Sequence, residues 1–133
     1  MAIGDVNSII KAYLDTCTTL TALVSTRIYC PRLPENATLP AVSFFTRGGT
    51  STPYIPGIPE PSVQFNCWAD NPIDAREVYR ALYDNLQGIQ NITVGSYQIM
   101  SAIEEVQGQD LVDNEIPNYF RVLTFFRVMV RAE

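Results

Sequence analysis

The sequence predicts an α+β domain, and three observations carry that reading. The stretch Val63 to Leu86, VQFNCWADNPIDAREVYRALYDNL, changes from an apolar period of two to one of three and four. Helical spacing also marks the first two dozen residues. Alternation returns in Tyr119 to Arg131, near the other end of the chain.

The first element is a helix from Asp5 to Leu14, with Val6, Ile9, Ile10 and Tyr13 on one face. Thr18 to Val24 follows as a short helical segment carrying Leu20, Leu23 and Val24, and Ile28-Tyr29 as a brief strand. Pro31 to Pro40 holds three prolines and reads as an extended crossing. Ala41 to Arg47, AVSFFTR, is the next strand.

The insert Gly48 to Pro61, GGTSTPYIPGIPEP, has four prolines and three glycines. Proline lacks the ladder donor, so this segment is expected to project as a loop rather than pair. Its tip presents Tyr54, Ile55 and Ile58, apolar residues that a simple linker has no need of.

In the Val63 to Leu86 unit, Val63, Phe65 and Cys67 point to one side of a strand, and Gln64, Asn66 and Trp68 to the other. Asn71 caps the following helix, Pro72 suits its first position, and Asp74 and Glu77 lie near its positive end. Ala75, Val78, Tyr79, Leu82 and Leu86 form the buried stripe, each large side chain worth roughly 1.5–3 kcal/mol on burial. Gly88 supplies the stop.

Ile92 to Val94 and Tyr97 to Val106 read as a hairpin turning at Gly95-Ser96. Residues 107–118 read as an acidic loop containing Asp110, Asp113 and Glu115, and Tyr119 to Arg131 as the last and longest strand. In that strand Phe120, Val122, Phe126, Val128 and Val130 share a face with Thr124. Arg121, Leu123, Phe125, Arg127, Met129 and Arg131 share the other. With Trp68 on the same side, this second face is either an interface or the seat of a helix from the same chain.

The 133 residues suit one domain, and 47% apolar against 17% charged residues fits a globular chain. A net charge of -5 argues against nucleic acid as the main partner, since phosphate binding needs a basic surface. Three cysteines, Cys17, Cys30 and Cys67, form no CxxC pair, so the expectation is a reducing compartment without a disulfide framework or zinc site. No secretory leader or membrane-length apolar run is read, and no membrane partner is expected.

Histidine is absent, which removes the commonest general base and metal ligand. Glu104 and Glu105 are neighbours on a strand and face apart, so a solvated role is expected rather than a shared site. The acidic segment lacks the glycine and ligand spacing of a calcium loop. Gly48-Gly49 opens no helix and so makes no phosphate cradle. No catalytic residue, metal ligand or cofactor site is assigned.

The order of parts resembles a known pattern. TTLTALVSTRIYCPRLPENATLPAVSFF carries a short leucine-rich turn, R-I-Y, a proline-bearing crossing and L-P-x-V opening a strand. A glycine-rich loop, VQFNCWAD, a helix with ARE-V-x-x-AL and the late strand YFRVLTFFRV follow. Over Leu20 to Val130 this is similar to the tail completion or tail terminator family of long-tailed bacteriophages, which includes relatives of the lambda minor tail protein.

The resemblance implies a single domain with a mainly antiparallel sheet and two principal helices packed against it. It also implies a six-membered ring on the last tail-tube ring that stops polymerisation and offers the head connector a docking surface. Its partners would be its own copies, the tail tube protein and the connector, and its place the virion tail or neck after assembly in the host cytoplasm. A head-side connector or stopper, and a small carboxylate-using cytoplasmic enzyme or ligand-binding domain, are the alternatives. Candidate interface residues are Tyr54, Ile55, Ile58, Trp68, Arg121, Leu123, Phe125, Arg127 and Met129.

Overall fold

A computed structural model describes residues 6–25, 27–30, 38–51, 59–95, 97–112 and 120–132. Three helices precede or interrupt the strands: α1 (Val6–Asp15), α2 (Thr18–Val24) and α3 (Pro72–Leu86). The strands are β1 (Ile28–Tyr29), β2 (Ala41–Ser51), β3 (Pro59–Ala69), β4 (Gln90–Val94), β5 (Tyr97–Val112) and β6 (Phe120–Ala132). They form one sheet in the order β1-β2-β3-β6-β5-β4. Among the described strands only the short β1 runs parallel to its neighbour; the other pairs are antiparallel.

The β3-to-α3 unit forms as its sequence predicts. Asn71 is extended, its side chain accepts from the Asp74 N–H at 2.9 Å, and Pro72 opens the helix. Such a cap is worth about 1 kcal/mol. Ala75, Val78, Tyr79, Leu82 and Leu86 are all buried, and Gly88 takes φ +78° just beyond the helix.

One apolar cluster holds the molecule together. It joins Ile9, Ile10 and Leu14 of α1, Leu20 and Val24 of α2 and the α3 stripe to Val42, Phe44, Val63, Phe65, Cys67, Val122, Phe126, Val128 and Val130 of the sheet. Phe65 stacks beside Phe44 with ring centroids 5.6 Å apart and meets Phe126 edge-on at the same separation. These ring contacts add to the burial itself. Tyr13 Oη donates to the Asn85 carbonyl at 2.5 Å, tying α1 to α3. All three helices therefore cover one face of the sheet, and no described helix covers the other.

Three expectations need correction. Part of the Gly48 to Pro61 insert does pair, with Gly49 opposite Pro61, Thr50 opposite Glu60 and Ser51 opposite Pro59. A register shift between Thr46 and Gly49 absorbs the glycines. Pairing of β3 with β6 starts only at Ser62, so Pro59 and Pro61 lie where β3 has a single neighbour, a setting proline tolerates. Tyr54, Ile55 and Ile58 fall outside the described residues.

The second correction concerns residues 107–118. Gln107 to Val112 is not loop but the end of β5, with Gln109 opposite Leu123 and Val112 opposite Phe120. Residues 113–118 lie outside the described residues. Third, β5 at 16 residues is longer than β6 at 13. Its register slips between Ile99 and Ser101, between Glu104 and Val106, and between Val106 and Gln109. Those bulges break the alternation that would have marked it as one strand.

Candidate assembly surface

The sheet face away from the helices brings together residues from four strands. On β3 and β6, Trp68 lies opposite Arg121, Asn66 opposite Leu123, Gln64 opposite Phe125 and Ser62 opposite Arg127. β2 adds Phe45, opposite Gln64, and β5 adds Ser101 opposite Met129, Ile103 opposite Arg127 and Val106 opposite Phe125. Trp68, Arg121, Leu123, Phe125 and Met129 are half-buried, and Arg127 is exposed. The six candidate residues of β3 and β6 thus share one surface.

Arginines stand over the aromatic rings of this face. The Arg47 guanidinium lies 4.2 Å from the Phe125 ring centroid, and that of Arg121 lies 5.3 Å from the Trp68 ring. Cation–π contacts of this kind hold the flexible side chains flat and leave a surface of apolar stems with cationic heads. Trp68 Nε1 donates to Ser43 Oγ at 2.9 Å, which fixes the indole. Arg127 reaches Glu105 at 3.4 Å, and Arg131 Nε donates to Gln98 at 2.8 Å. Beneath them Asn66 is only 5% exposed, and its Oδ1 has no hydrogen-bond partner among the described residues.

Sequence reading missed Arg47, Phe45, Ile103 and Val106 on this face. Ile103 is 54% exposed and Val106 37%, among the most open large apolar side chains described. Phe45 and Arg47 were accessible from strand parity, since Val42 and Phe44 occupy the inner face of the same strand. The positions after Glu104 were not, because a bulge moves Val106 to the face that plain alternation denies it.

On the helix side Glu104 has a role that its expected solvation did not include. Its Oε2 accepts from Tyr79 Oη at 2.7 Å and lies 2.7 Å from Thr124 Oγ1, a fully buried hydroxyl also 2.9 Å from the Val106 carbonyl. Gln87 Oε1 accepts from the Glu104 N–H at 2.7 Å. Burial, then the bond to Glu104, pushes the Tyr79 phenol up from 10.0 to about 12. Glu105 faces apart from Glu104, toward Arg127, so the two carboxylates form no shared site.

Arg76, Tyr79, Arg80, Tyr83, Asp84, Glu104 and Gln107 line an open groove of about 640 Å³ beside α3. Among the described residues no group of His, Cys, Asp and Glu has the arrangement to hold a metal ion. No described helix is long and apolar enough to cross a membrane.

No family model matches the chain, and no curated protein does. Among solved structures it is similar to a chain of the "Virion of native gene transfer agent (GTA) particle", with a TM-score of 0.65 and 16% identity. The match covers 96% of this chain and 95% of that one. The match shows a shared fold.

Proposed function

We propose that the chain is a structural subunit of a phage-like virion. In this reading it forms a ring that caps the tail tube, stops tail polymerisation and offers a docking surface to the head connector. The observation that carries the virion reading is the match in fold with a gene transfer agent virion chain, over 96% of one chain and 95% of the other. The ring of six and its place at the end of the tube rest on the sequence resemblance over Leu20 to Val130.

The open sheet face supports association, because Trp68, Leu123, Phe125, Met129, Ile103 and Val106 expose apolar surface that a partner would remove from water. The reading assigns contacts with neighbouring copies to that face, and contacts with the tail tube or a neighbour to Tyr54, Ile55 and Ile58. It gives the chain no catalytic role.

Electron microscopy of particles lacking the protein tests the terminator role. Overlong tails support it; tails of normal length that fail to join heads move the subunit to the connector side. Mass measurement of the purified chain tests the ring, which reads as a multiple of 14.9 kDa.

A further inference from the structure

The charge on the open face limits what can cover it. Arg47, Arg121, Arg127 and Arg131 supply four of the nine Lys and Arg residues of a chain whose net charge is -5. Glu105, paired with Arg127, is the one carboxylate among the described side chains of this face, so the face is net cationic on an acidic protein. Two copies meeting face to face would set these arginines against one another, and like charges brought together at an interface are unfavourable. Such a surface matches itself poorly, and a partner surface with exposed carboxylates suits it better.

Such a surface stands at the start of α3. Ile73 is 79% exposed, the most open of the large apolar side chains described, and Asp70 and Glu77 beside it are exposed as well. Asp74 lies in the same turn. Arg76 donates to the Gly108 carbonyl at 3.3 Å and lies over the Tyr79 ring. With the exposed Arg80 it lines the hollow beside Pro72, Ile73 and Glu77. The result is an apolar knob whose leading side carries the carboxylates of Asp70, Asp74 and Glu77, with Arg76 and Arg80 behind it, set against an apolar sheet with an arginine rim.

We infer that the open sheet face of one copy receives the α3 start of the next, so that Asp70, Ile73 and Glu77 meet the surface bearing Arg47, Phe125 and Arg131. This deepens the ring reading above and rests on it. Contact between two different surfaces is what a closed ring larger than a dimer requires, whereas a self-complementary patch gives a two-fold pair. The occupant of the face is a second copy of this chain.

Charge reversal tests the contact. Arg47→Glu/Arg131→Glu and Asp70→Lys/Glu77→Lys each keep one native surface and reverse the other, and all four side chains are exposed. Each variant alone is expected to run as a folded 14.9 kDa monomer in sedimentation. Mixed in equal amounts, the two are expected to restore the ring, because every junction then pairs opposite charges and an even ring alternates the variants.

A wild-type ring that survives either reversal, or a mixture that stays monomeric, overturns this contact while leaving the ring reading intact. A wild-type chain that is monomeric at every concentration sinks both. Should a reversed variant unfold, Arg47→Gln/Arg131→Gln keeps the question open to measurement: its association should be weaker than wild type and far less salt-sensitive. Salt sensitivity equal to wild type overturns the contact.

Discussion

The Tyr79 phenol donates to the Glu104 carboxylate at 2.7 Å, joining the middle of α3 to the middle of β5. Around that bond the Gly108 N–H donates to the same phenol at 3.2 Å, and Thr124 lies against the same carboxylate oxygen. A carboxylate near the core is tolerated here because the Tyr79 hydroxyl donates to it and the Thr124 hydroxyl lies against it. Gln87 Oε1 accepts from the backbone N–H of Glu104 itself.

This bond gives a pH prediction. The phenol has its ordinary value of 10.0 when the chain is unfolded and is pushed up to about 12 in the fold, so the unfolded chain loses its proton first. The contribution to stability is fully present below pH 10 and is lost as pH rises toward about 12. Tyr13 is raised to about 12 as well, chiefly by burial, and acts in the same window. In a spectroscopic titration of phenolate absorbance, Tyr79→Phe should remove one of the late-ionising steps. An unchanged late amplitude in that variant would mean that Tyr79 ionises with the exposed phenols.

Gly108 is where β5 passes under α3. A Cβ built there would lie 2.8 Å from the Tyr79 ring and from a Val122 methyl, closer than side chains pack. Gly108→Ala should therefore destabilise the fold by about 1–3 kcal/mol through overpacking. Chemical denaturation reads the change directly, and a midpoint equal to wild type would show that the ring of Tyr79 has room to move.

Much of this architecture was legible because local chemistry and burial agree. Asn71-Pro72 capped α3, its five stripe residues are the five buried ones, and the alternation of β6 sorted Val122, Phe126, Val128 and Val130 from Arg121, Leu123, Phe125 and Met129. What stayed hidden depended on partners far along the chain. Gln107 to Val112 is polar and glycine-bearing at its start, and Gln109 to Val112 is held as strand by pairing with Phe120 to Leu123. Gly49 to Ser51 likewise pairs only because Pro59 to Pro61 lies opposite. Glu104 looked like a surface acid because nothing local marks Tyr79 and Thr124 as its neighbours. The open face was readable one strand at a time; its arginine cover needed the register that sets Arg47 beside Phe125.

Cys67 tests the inner face of β3. It is fully buried in the apolar cluster, and that burial pushes its thiol far above the ordinary range, which keeps it protonated at neutral pH. Cys67→Ala should cost on the order of 1 kcal/mol by leaving a small cavity, without affecting assembly. In the folded protein a thiol reagent at neutral pH should label the exposed Cys30 well before Cys67. Early modification of Cys67, identified by peptide mass, would show that β3 opens far more readily than its packing implies.

Phe125 and Phe126 are adjacent on β6 and separate the two roles of the sheet. Phe126 is fully buried against Phe65, so Phe126→Asp puts a charge into the core and should unfold the domain. Phe125 faces the other way, half-buried beneath the Arg47 guanidinium. An aspartate there meets that guanidinium and stays within reach of water, so the fold should survive. The apolar contact offered to a neighbouring copy is lost, and Phe125→Asp should give a folded 14.9 kDa species in place of an assembly. Circular dichroism and sedimentation together decide the matter. If Phe125→Asp unfolds as Phe126→Asp does, the outer face belongs to the core of the monomer. If it still assembles, the subunits meet elsewhere.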